Sequence, residues 1–367
     1  MINILHFIWG LGIGGAETFI SNMLNSMPHS EYHFDFAIQN PDITNENISK
    51  YIREHNSTVY VLPKFTRSII KQYRILGKLL AYNKYDFVHV HMNALINPLP
   101  LICAHQTHTK LVLHSHNSQS NVGGMVGKLI HTTNRSMFLG KNDRRIACSD
   151  KAGKWMFGNR NFSVIPNAIE IDKFNFSKSS RNEIRGKFGI RDTETLLGSI
   201  ARFVPAKNHR RMIDIFADYL HRINPESRLM LVGDGPLLED TKKYVRQIGL
   251  TDRVIFTGAT ARPHGHYCAL DMFIMPSLFE GLAFTAIEAQ ASGLPCILSD
   301  TISHEIDPLN RLRFISLKAP TSSWSDAISK DLGIARNRDR YIYGAQMAHT
   351  IYNVKHLFEI MRGIYLQ

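Results

Sequence analysis

The sequence predicts an α/β protein built from two facing Rossmann-like domains. Short β-branched runs alternate with stretches of helical period along nearly the whole chain, the pattern of a doubly wound parallel sheet. The alternation pauses once, in a polar and charged stretch after Ile165-Pro166-Asn167-Ala168, and then begins again. The length of 367 residues suits two domains of common size. The expected division is an N-terminal domain over 1–170, a linker over 171–189, a C-terminal domain over 190–340, and a helix over 341–367 that crosses the domains.

Bulk composition narrows the classes. No apolar run approaches the ~18 residues of a membrane span, and Ile2 to Ile8 reads as a strand with no signal-peptide pattern. Cys103, Cys148, Cys268 and Cys296 are scattered through apolar runs without a C-x-x-C, as expected of buried thiols in a reducing compartment. A cytoplasmic protein is expected. The formal net charge of +12 is uneven: residues 1–50 carry −4, residues 51–160 carry +12, and the remainder +4. Part of the N-terminal half therefore suits an anionic neighbour. Nucleic acid is not the expected one, because no stacking aromatics interleave with the basic residues in a known module.

The first strand, Ile4 to Trp9, runs into Gly10-Leu11-Gly12-Ile13-Gly14-Gly15-Ala16-Glu17 and an amphipathic helix from Thr18 to Ser26. A glycine-rich strand-to-helix turn lets backbone approach a ligand, although the spacing is not that of the dinucleotide fingerprint. Further strands are expected at Ser57–Leu62, Asp86–His91, Lys110–His114, Arg145–Cys148 and Phe162–Ile165. Over 66–82, Arg67, Lys71, Arg74 and Lys78 share one helical face, and Ile69, Ile70, Tyr73, Leu76, Leu79 and Leu80 form the other. Such a helix can rest on anionic lipid headgroups; the same pattern also suits an ordinary solvated face. His89 and His91, and then His114 and His116, fall in pairs on one face of their strands. An H-x-H pair can bind zinc, but further ligands at helical spacing are missing. His116 and Asn117 are expected to line a ligand crevice at a strand end, and His89 to be buried and structural.

The second series has strands at Leu196–Ile200, Arg228–Val232, Arg253–Phe256, Met272–Met275, Cys296–Leu298 and Leu312–Ile315, with one long helical pattern from Arg340 to Leu366 at the end. Arg202 and Lys207 lie in the loop after one strand, and Gly233-Asp234-Gly235-Pro236 turns after the next. A sugar–phosphate bond cannot break unless the departing diphosphate is neutralised, by arginine as a fork or lysine as a point charge. The most informative stretch runs from Pro276 to Pro295. It holds Glu280 and Glu288 eight positions apart, roughly 12 Å along a helix. The turn Gly281-Leu282-Ala283 leaves free amides at a helix start, an anion site. An anion flanked by hydroxyl-binding carboxylates describes a nucleotide-sugar; alone, the stretch would also fit a plain strand–loop–helix with solvated glutamates.

Taken together, Arg202…Lys207-Asn208-His209, Gly233-Asp234-Gly235-Pro236, and Glu280-Gly281-Leu282…Glu288-Ala289 with Gly293-Leu294-Pro295 resemble the retaining GT-B nucleotide-sugar glycosyltransferases with an E-x7-E motif. Gly14-Gly15-Ala16-Glu17, Asp86 to His91, His114-Ser115-His116-Asn117 and Val164-Ile165-Pro166-Asn167 look like that family's N-domain and linker signatures. Enzymes of bacterial capsule and exopolysaccharide assembly are the most similar in appearance.

The resemblance implies roles. Glu288 would hold the ribose and Glu280 the donor sugar. Arg202 and Lys207 would hold the diphosphate, with Gly14, Gly15, Gly233, Gly281, Leu282, Ala283 and Phe284 completing the donor site. Glu280, His116, Arg202 and Lys207 would be the catalytic set, and Glu17 and Asn117 would face the acceptor. It further implies no cofactor beyond the nucleotide-sugar co-substrate, no metal, and retention by front-face displacement in which the leaving diphosphate helps deprotonate the acceptor. Ala283 departs from the family's usual proline, and Ala261-Arg262-Pro263-His264-Gly265-His266 departs from its usual segment beside the base.

The expected activity is transfer from a UDP-sugar to a glycan acceptor, expected to be lipid-linked, in bacterial surface polysaccharide synthesis, with the enzyme peripheral on the inner face of the membrane. An epimerase or phosphorylase of the same fold, or a non-catalytic partner of another transferase, are the rival readings.

Overall fold

The computed structural model describes residues 1–12, 14–117, 124–260, 262–280, 282–335 and 337–366. The chain divides into two compact units, residues 1–168 with 354–367, and residues 169–353.

The N-terminal unit holds β1 (Ile2–Ile8), α1 (Gly15–Ser26), β2 (Tyr32–Ile38), α2 (Glu46–Glu54), β3 (Val59–Val61), α3 (Ile69–Tyr82), β4 (Phe87–Met92), α4 (Leu99–Gln106), β5 (Lys110–Ser115), α5 (Gly124–Phe138), β6 (Arg144–Ala147), α6 (Asp150–Phe157) and β7 (Ser163–Val164). Its strands form one seven-stranded parallel sheet in the order β3-β2-β1-β4-β5-β6-β7. The central strands have buried residues on both faces because helices cover both. Ile4 and Ile8 of β1 join Phe34 and Phe36 of β2 under α1, whereas Leu5 and Phe7 point the other way, to a core shared with Leu76, Leu79 and Leu80 of α3 and Met156 and Phe157 of α6.

The C-terminal unit holds α7 (Lys178–Lys187), β8 (Thr195–Ile200), α8 (His209–Arg222), β9 (Ser227–Val232), α9 (Leu238–Gln247), β10 (Val254–Gly258), α10 (His264–Ala269), β11 (Met272–Met275), α11 (Phe284–Ala291), β12 (Cys296–Ser299), β13 (Arg313–Ile315), α12 (Thr321–Ala335) and α13 (Arg340–Ala345). Its six strands are parallel in the order β10-β9-β8-β11-β12-β13. In both sheets the order reverses once, between β1 and β4 and between β8 and β11. Loops leaving the carboxyl ends of strands on either side of such a reversal flank a crevice, the usual ligand site of open α/β sheets.

Three expectations need correction. The pattern from Arg340 to Leu366 is not one helix. It breaks into α13, a 3-10 turn at Gln346–His349 and α14 (Val354–Leu366), because Thr350 leaves the helical region with ψ 165°. Leu357, Met361 and Tyr365 of α14 are buried in the N-terminal unit's core with Phe87 and Tyr32. The apolar face read over 66–82 is also divided. Leu76, Leu79 and Leu80 are buried, but Ile69, Ile70 and Tyr73 at the start of α3 are exposed. Finally, Cys148 is only half-buried, unlike the other three thiols. The stretch 171–189 falls within the C-terminal unit and contains α7, whose buried Arg185 bonds to the carbonyls of Ala269 and Glu194 and to Asp271.

Candidate active site

In the C-terminal unit, the loops after β8 and β11 flank the reversal point and are bonded to each other. The amide of Leu278 donates to the carbonyl of Ala206 (2.7 Å), and the Asn208 side chain donates to the carbonyl of Pro276 (3.1 Å). Asn208 can reach because it is left-handed (φ 54°, ψ 47°), a conformation asparagine tolerates better than most residues. This pairing brings Lys207 Nζ to 2.5 Å from Glu280 Oε2. Glu280 is 7% exposed in its side chain, and its Oε1 is buried with no partner among the described residues. Such an acceptor is costly to leave unpaired, and it is open to a donor from outside the described residues. Beside Lys207, His209 stacks on Phe203 at 4.0 Å between ring centroids. Burial, reinforced by the Lys207 charge, pushes its imidazole down to about 4, so it stays neutral next to the lysine.

An open cavity of about 450 Å³ lies at the ends of β8 and β9, lined by Ile200, Ala201, Arg202, Val232, Gly233, Asp234, Gly235, Ala259, Thr260 and Thr285. Arg202 is exposed, and its guanidinium forms no ion pair among the described residues. The two glycines have a steric reason to be there. Gly233 (φ 146°) would place a Cβ 2.1 Å from the Ala201 carbonyl oxygen, and Gly235 (φ 153°) would place one 2.6 Å from that of Phe203. Only glycine lets this turn lie against the Arg202 loop, where the Phe203 amide donates to the Asp234 carbonyl. Thr285 lies in the first turn of α11, where amides have no intrahelical acceptor and the helix end is electropositive. Leu282, Ala283 and Phe284 lead into that turn, and Gly281 lies outside the described residues.

Glu288 sits about one helical turn further along α11. Its Oε2 accepts from the Tyr267 hydroxyl at 2.6 Å. Burial pushes the carboxyl up to about 7, partly opposed by that hydrogen bond. Tyr267 is in turn fixed through its carbonyl by the half-buried Arg340, whose guanidinium also donates to the carbonyls of Leu270 and Ser292. Sequence reading missed Tyr267 and Arg340. Tyr267 lies in an apolar run and reads as core; the available signal was that a buried tyrosine hydroxyl needs an acceptor.

The N-terminal unit carries the remaining candidates. Gly14 caps α1, and Glu17 folds back over it, so that a Cβ on Gly14 would meet Glu17 Oε2 at 2.5 Å. The Gly15 carbonyl accepts from the Asn167 side chain at 2.9 Å, which ties the glycine loop to the end of the sheet. His116 and the exposed Asn117 follow β5. His116 does not stand alone. Its Nε2 bonds His91 Nδ1 at 2.8 Å, and His91 Nε2 bonds His6 Nδ1 at 2.9 Å. His89 and His114 pack beside this row; His89 Nδ1 bonds the Tyr365 hydroxyl at 2.6 Å, and Phe19 meets the His114 ring edge-on. Burial pushes His6 and His116 down to about 3, and His89, His91 and His114 well below the ordinary range. With every ring neutral, each carries one N–H, so the His6–His91–His116 row must point all its protons the same way. The nitrogens of His6, His89 and His91, or of His91, His114 and His116, lie within 4.8 Å of one another and could hold a metal ion. Either triad would first have to break a bond of His91, whose two nitrogens are both engaged.

Two Rossmann-like units in tandem, the second with cations and a helix start at its reversal point, define the GT-B class of fold. Residues 13–173 match Glycosyltransferase Family 4, and residues 180–305 match Glycosyl transferases group 1. The chain thus belongs to the GT-B glycosyltransferases with a family 4 domain followed by a group 1 domain. EpsF of Bacillus subtilis strain 168, a protein named as a glycosyltransferase, is 29% identical over 92% of this chain and 90% of its own. An Escherichia coli UDP-Gal:alpha-D-GlcNAc-diphosphoundecaprenol alpha-1,3-galactosyltransferase is 28% identical over 65% of this chain and 63% of its own. Among solved structures, HepE of Anabaena in complex with UDP superposes with a TM-score of 0.78 at 17% identity, covering 99% of both chains.

Proposed function

We propose that this glycosyltransferase moves a sugar, with retention of configuration, from a UDP-sugar to a hydroxyl of a lipid-linked glycan in bacterial surface polysaccharide synthesis. The observation that carries the reading is the Lys207–Glu280 pair beside the unpaired Arg202 and the start of α11. A diphosphate entering the cavity meets a fork at Arg202, a point charge at Lys207 and helix amides near Thr285. These interactions strengthen as the bond to the sugar breaks and charge collects on the leaving group. As Lys207 turns toward the diphosphate, Glu280 becomes free to accept from sugar hydroxyls, its Oε1 already without a protein donor among the described residues. Glu288, held by Tyr267, accepts from the ribose hydroxyls. The leaving diphosphate then helps to take the acceptor's proton. In this scheme Arg202 and Lys207 supply the positive charge at the diphosphate, so transfer should survive chelators.

On the acceptor side we assign Gly14, Gly15, Glu17, His116 and Asn117 to donor phosphate and acceptor contacts. The choice of UDP and of a lipid-linked acceptor is supported by the E. coli relative, whose name specifies UDP-Gal and a diphosphoundecaprenol acceptor, and by UDP in the HepE complex. The basic residues Arg67, Lys71, Arg74 and Lys78, on α3 or just before it and all exposed, would rest on the inner leaflet, with the enzyme otherwise cytoplasmic.

The test is a panel of UDP-, GDP- and ADP-sugars scored for protection against thermal unfolding, then for transfer. A UDP-sugar should protect wild type, and Lys207→Ala should lose at least a hundredfold in turnover, on the order of 3 kcal/mol. Near-normal transfer by a folded Lys207→Ala protein would overturn the assignment.

A further inference from the structure

The crevice at the carboxyl ends of β1 and β4 has a wall that the preceding reading does not use. Trp9 follows β1 directly and is 55% exposed. The other two tryptophans are engaged by the protein: Trp324 is fully buried, and Trp155 stacks on His131 and donates its indole N–H to the Asn93 carbonyl. A single exposed apolar residue is ordinary. Trp9 differs in that its backbone is held rigidly at a ligand crevice. The amides of Gln39 and Asn40 both donate to its carbonyl, at 3.0 and 2.7 Å, and the Gln39 side chain accepts from the Phe65 amide at 2.9 Å. Exposed aromatics on fixed backbone are the usual anchors of recognition surfaces, because few rotors must be frozen for a large contact.

Two polar side chains stand at the same wall. The Lys64 ammonium lies 5.4 Å from the Trp9 ring centroid and forms no ion pair among the described residues. Asn40 neighbours Gly10, where an added Cβ would lie 3.1 Å from its own, and its side chain makes no hydrogen bond among the described residues. An indole face carries negative charge density. The C–H groups on one face of a pyranose carry the opposite partial charge, and its hydroxyls ring the edge, where an ammonium can donate and an amide can donate and accept. An acyl chain would leave Lys64 and Asn40 unanswered, and a free phosphate would leave the indole so. A sugar ring uses all three. Strand register locates the wall. Phe7 pairs with Val90 and Val90 with Leu113, so Trp9 and Ser115 come level two residues later, one short of His116. Two strand spacings, about 10 Å, separate them, a distance that one di- or trisaccharide spans.

We infer that Trp9, with Lys64 and Asn40, forms a subsite for a pyranose of the acceptor glycan, one or two sugars from the hydroxyl that is glycosylated. This rests on the acceptor being a glycan, as the preceding reading has it, and is independent of the donor's identity. The indole face away from Lys64 takes the ring. The enzyme therefore selects acceptors by length, because a monosaccharide that reaches only His116 forgoes the stacking contact.

The experiment labels the full chain with 5-fluorotryptophan, which gives one fluorine resonance for each of the three tryptophans. Trp9→Phe identifies the Trp9 resonance by removing it. Methyl glycosides, disaccharides and trisaccharides of glucose, galactose and N-acetylglucosamine are titrated with and without UDP-sugar. A di- or trisaccharide should move the Trp9 resonance and leave the other two in place. In the transfer assay Trp9→Leu should raise the KM for that saccharide at least tenfold, with donor-induced thermal protection unchanged. Trp9→Phe should restore part of the loss, and Asn40→Ala should raise the same KM severalfold. A Trp9 resonance that no saccharide moves, or an unchanged KM in a folded Trp9→Leu protein, would overturn the proposal. So would a shift of the same size by UMP alone, which would make the indole a platform for the donor's base, or by phosphatidylglycerol vesicles, which would make it a membrane contact. A saccharide-induced shift in a protein that transfers no sugar would support the subsite and count against the proposed reaction alone.

Discussion

Acid should unfold the N-terminal unit well before the C-terminal one, and the row of histidines sets the size of the effect. His6, His89, His91 and His114 are at most 5% exposed, and burial holds all four well below the ordinary histidine value of 6.5. A lowered folded-state value means that the unfolded chain takes up protons which the native unit cannot. The associated stability is therefore fully present above pH 6.5 and is lost as pH falls below it. One pH unit below 6.5, each such group costs about 1.4 kcal/mol, and four cost about 6 kcal/mol. That is comparable to the entire stability of an ordinary domain, about 5–15 kcal/mol. In the C-terminal unit His209 alone is held as low as about 4, with His266 lowered less severely by burial, so its loss over the same range should be well under half as large.

The assay is hydrogen exchange in increasing urea at pH 7.5, 6.5 and 5.5, read separately from peptides of residues 1–168 and 169–353. With a slope of about 2–3 kcal/mol per molar urea for a domain of this size, the N-terminal midpoint should fall by roughly 2–3 M between pH 7.5 and 5.5. His114→Phe sharpens the test. Neither ring nitrogen of His114 has a partner among the described residues, and the ring packs on Phe19, so phenylalanine removes one proton site while keeping a ring there. The variant should recover about 1.4 kcal/mol at pH 5.5 relative to its own change at pH 7.5. An N-terminal unit as stable at pH 5.5 as at 7.5 would refute the argument.

Two further outcomes follow from the C-terminal unit. Glu288 is the opposite case in sign: its folded-state value is raised from 4.5 to about 7, so its stability contribution is intact below pH 4.5 and is lost as pH rises toward 7. The ionised carboxylate costs at most about 3 kcal/mol, and about 1–2 kcal/mol once the partly exposed portion of the side chain is discounted. Glu288→Gln should thus unfold at higher urea than wild type at pH 8, show no gain near pH 4.5, and lose protection by the donor; equal stability at pH 8 would contradict the burial argument. Gly233→Ala should cost about 3 kcal/mol or more, because its Cβ would overlap the Ala201 carbonyl and its φ of 146° is strained for any L side chain. A denaturant midpoint within error of wild type would show that the turn can move away from the Arg202 loop.

What the sequence made legible follows from what is local. The alternation of strand and helix, the pause between two series, and the placing of Arg202, Lys207, Glu280 and Glu288 just beyond strands depend on periodicity within ten or twenty residues, and the two parallel sheets agree with it. Strand order is not local. Lys207 and Glu280 are 73 positions apart and bond because β11 inserts beside β8, a neighbour relation that no spacing encodes. The histidines show the same limit. Alternation correctly puts His89 with His91 on one face, but the partner that completes the row is His6, from β1, which enters because β4 pairs with β1 across the reversal point.

The misread ends of α3 and the last helix have another cause. Helical period predicts which side chains share a face; whether that face is covered depends on what else in the chain reaches it. α14 covers the sheet face over Phe87 and Tyr32, so its Leu357, Met361 and Tyr365 are buried. No described element covers the first turns of α3 and α5, so their apolar residues remain exposed. Periodicity alone cannot tell these cases apart, since both read as amphipathic helices. The surrounding charge does not separate them either: α14 carries Lys355 and Arg362 beside its buried face, and Lys71, Arg74 and Lys78 of α3 accompany its buried residues as well as its exposed ones. What decides is which element the sheet order brings over the face, and that is a long-range relation of the kind that joins Lys207 to Glu280.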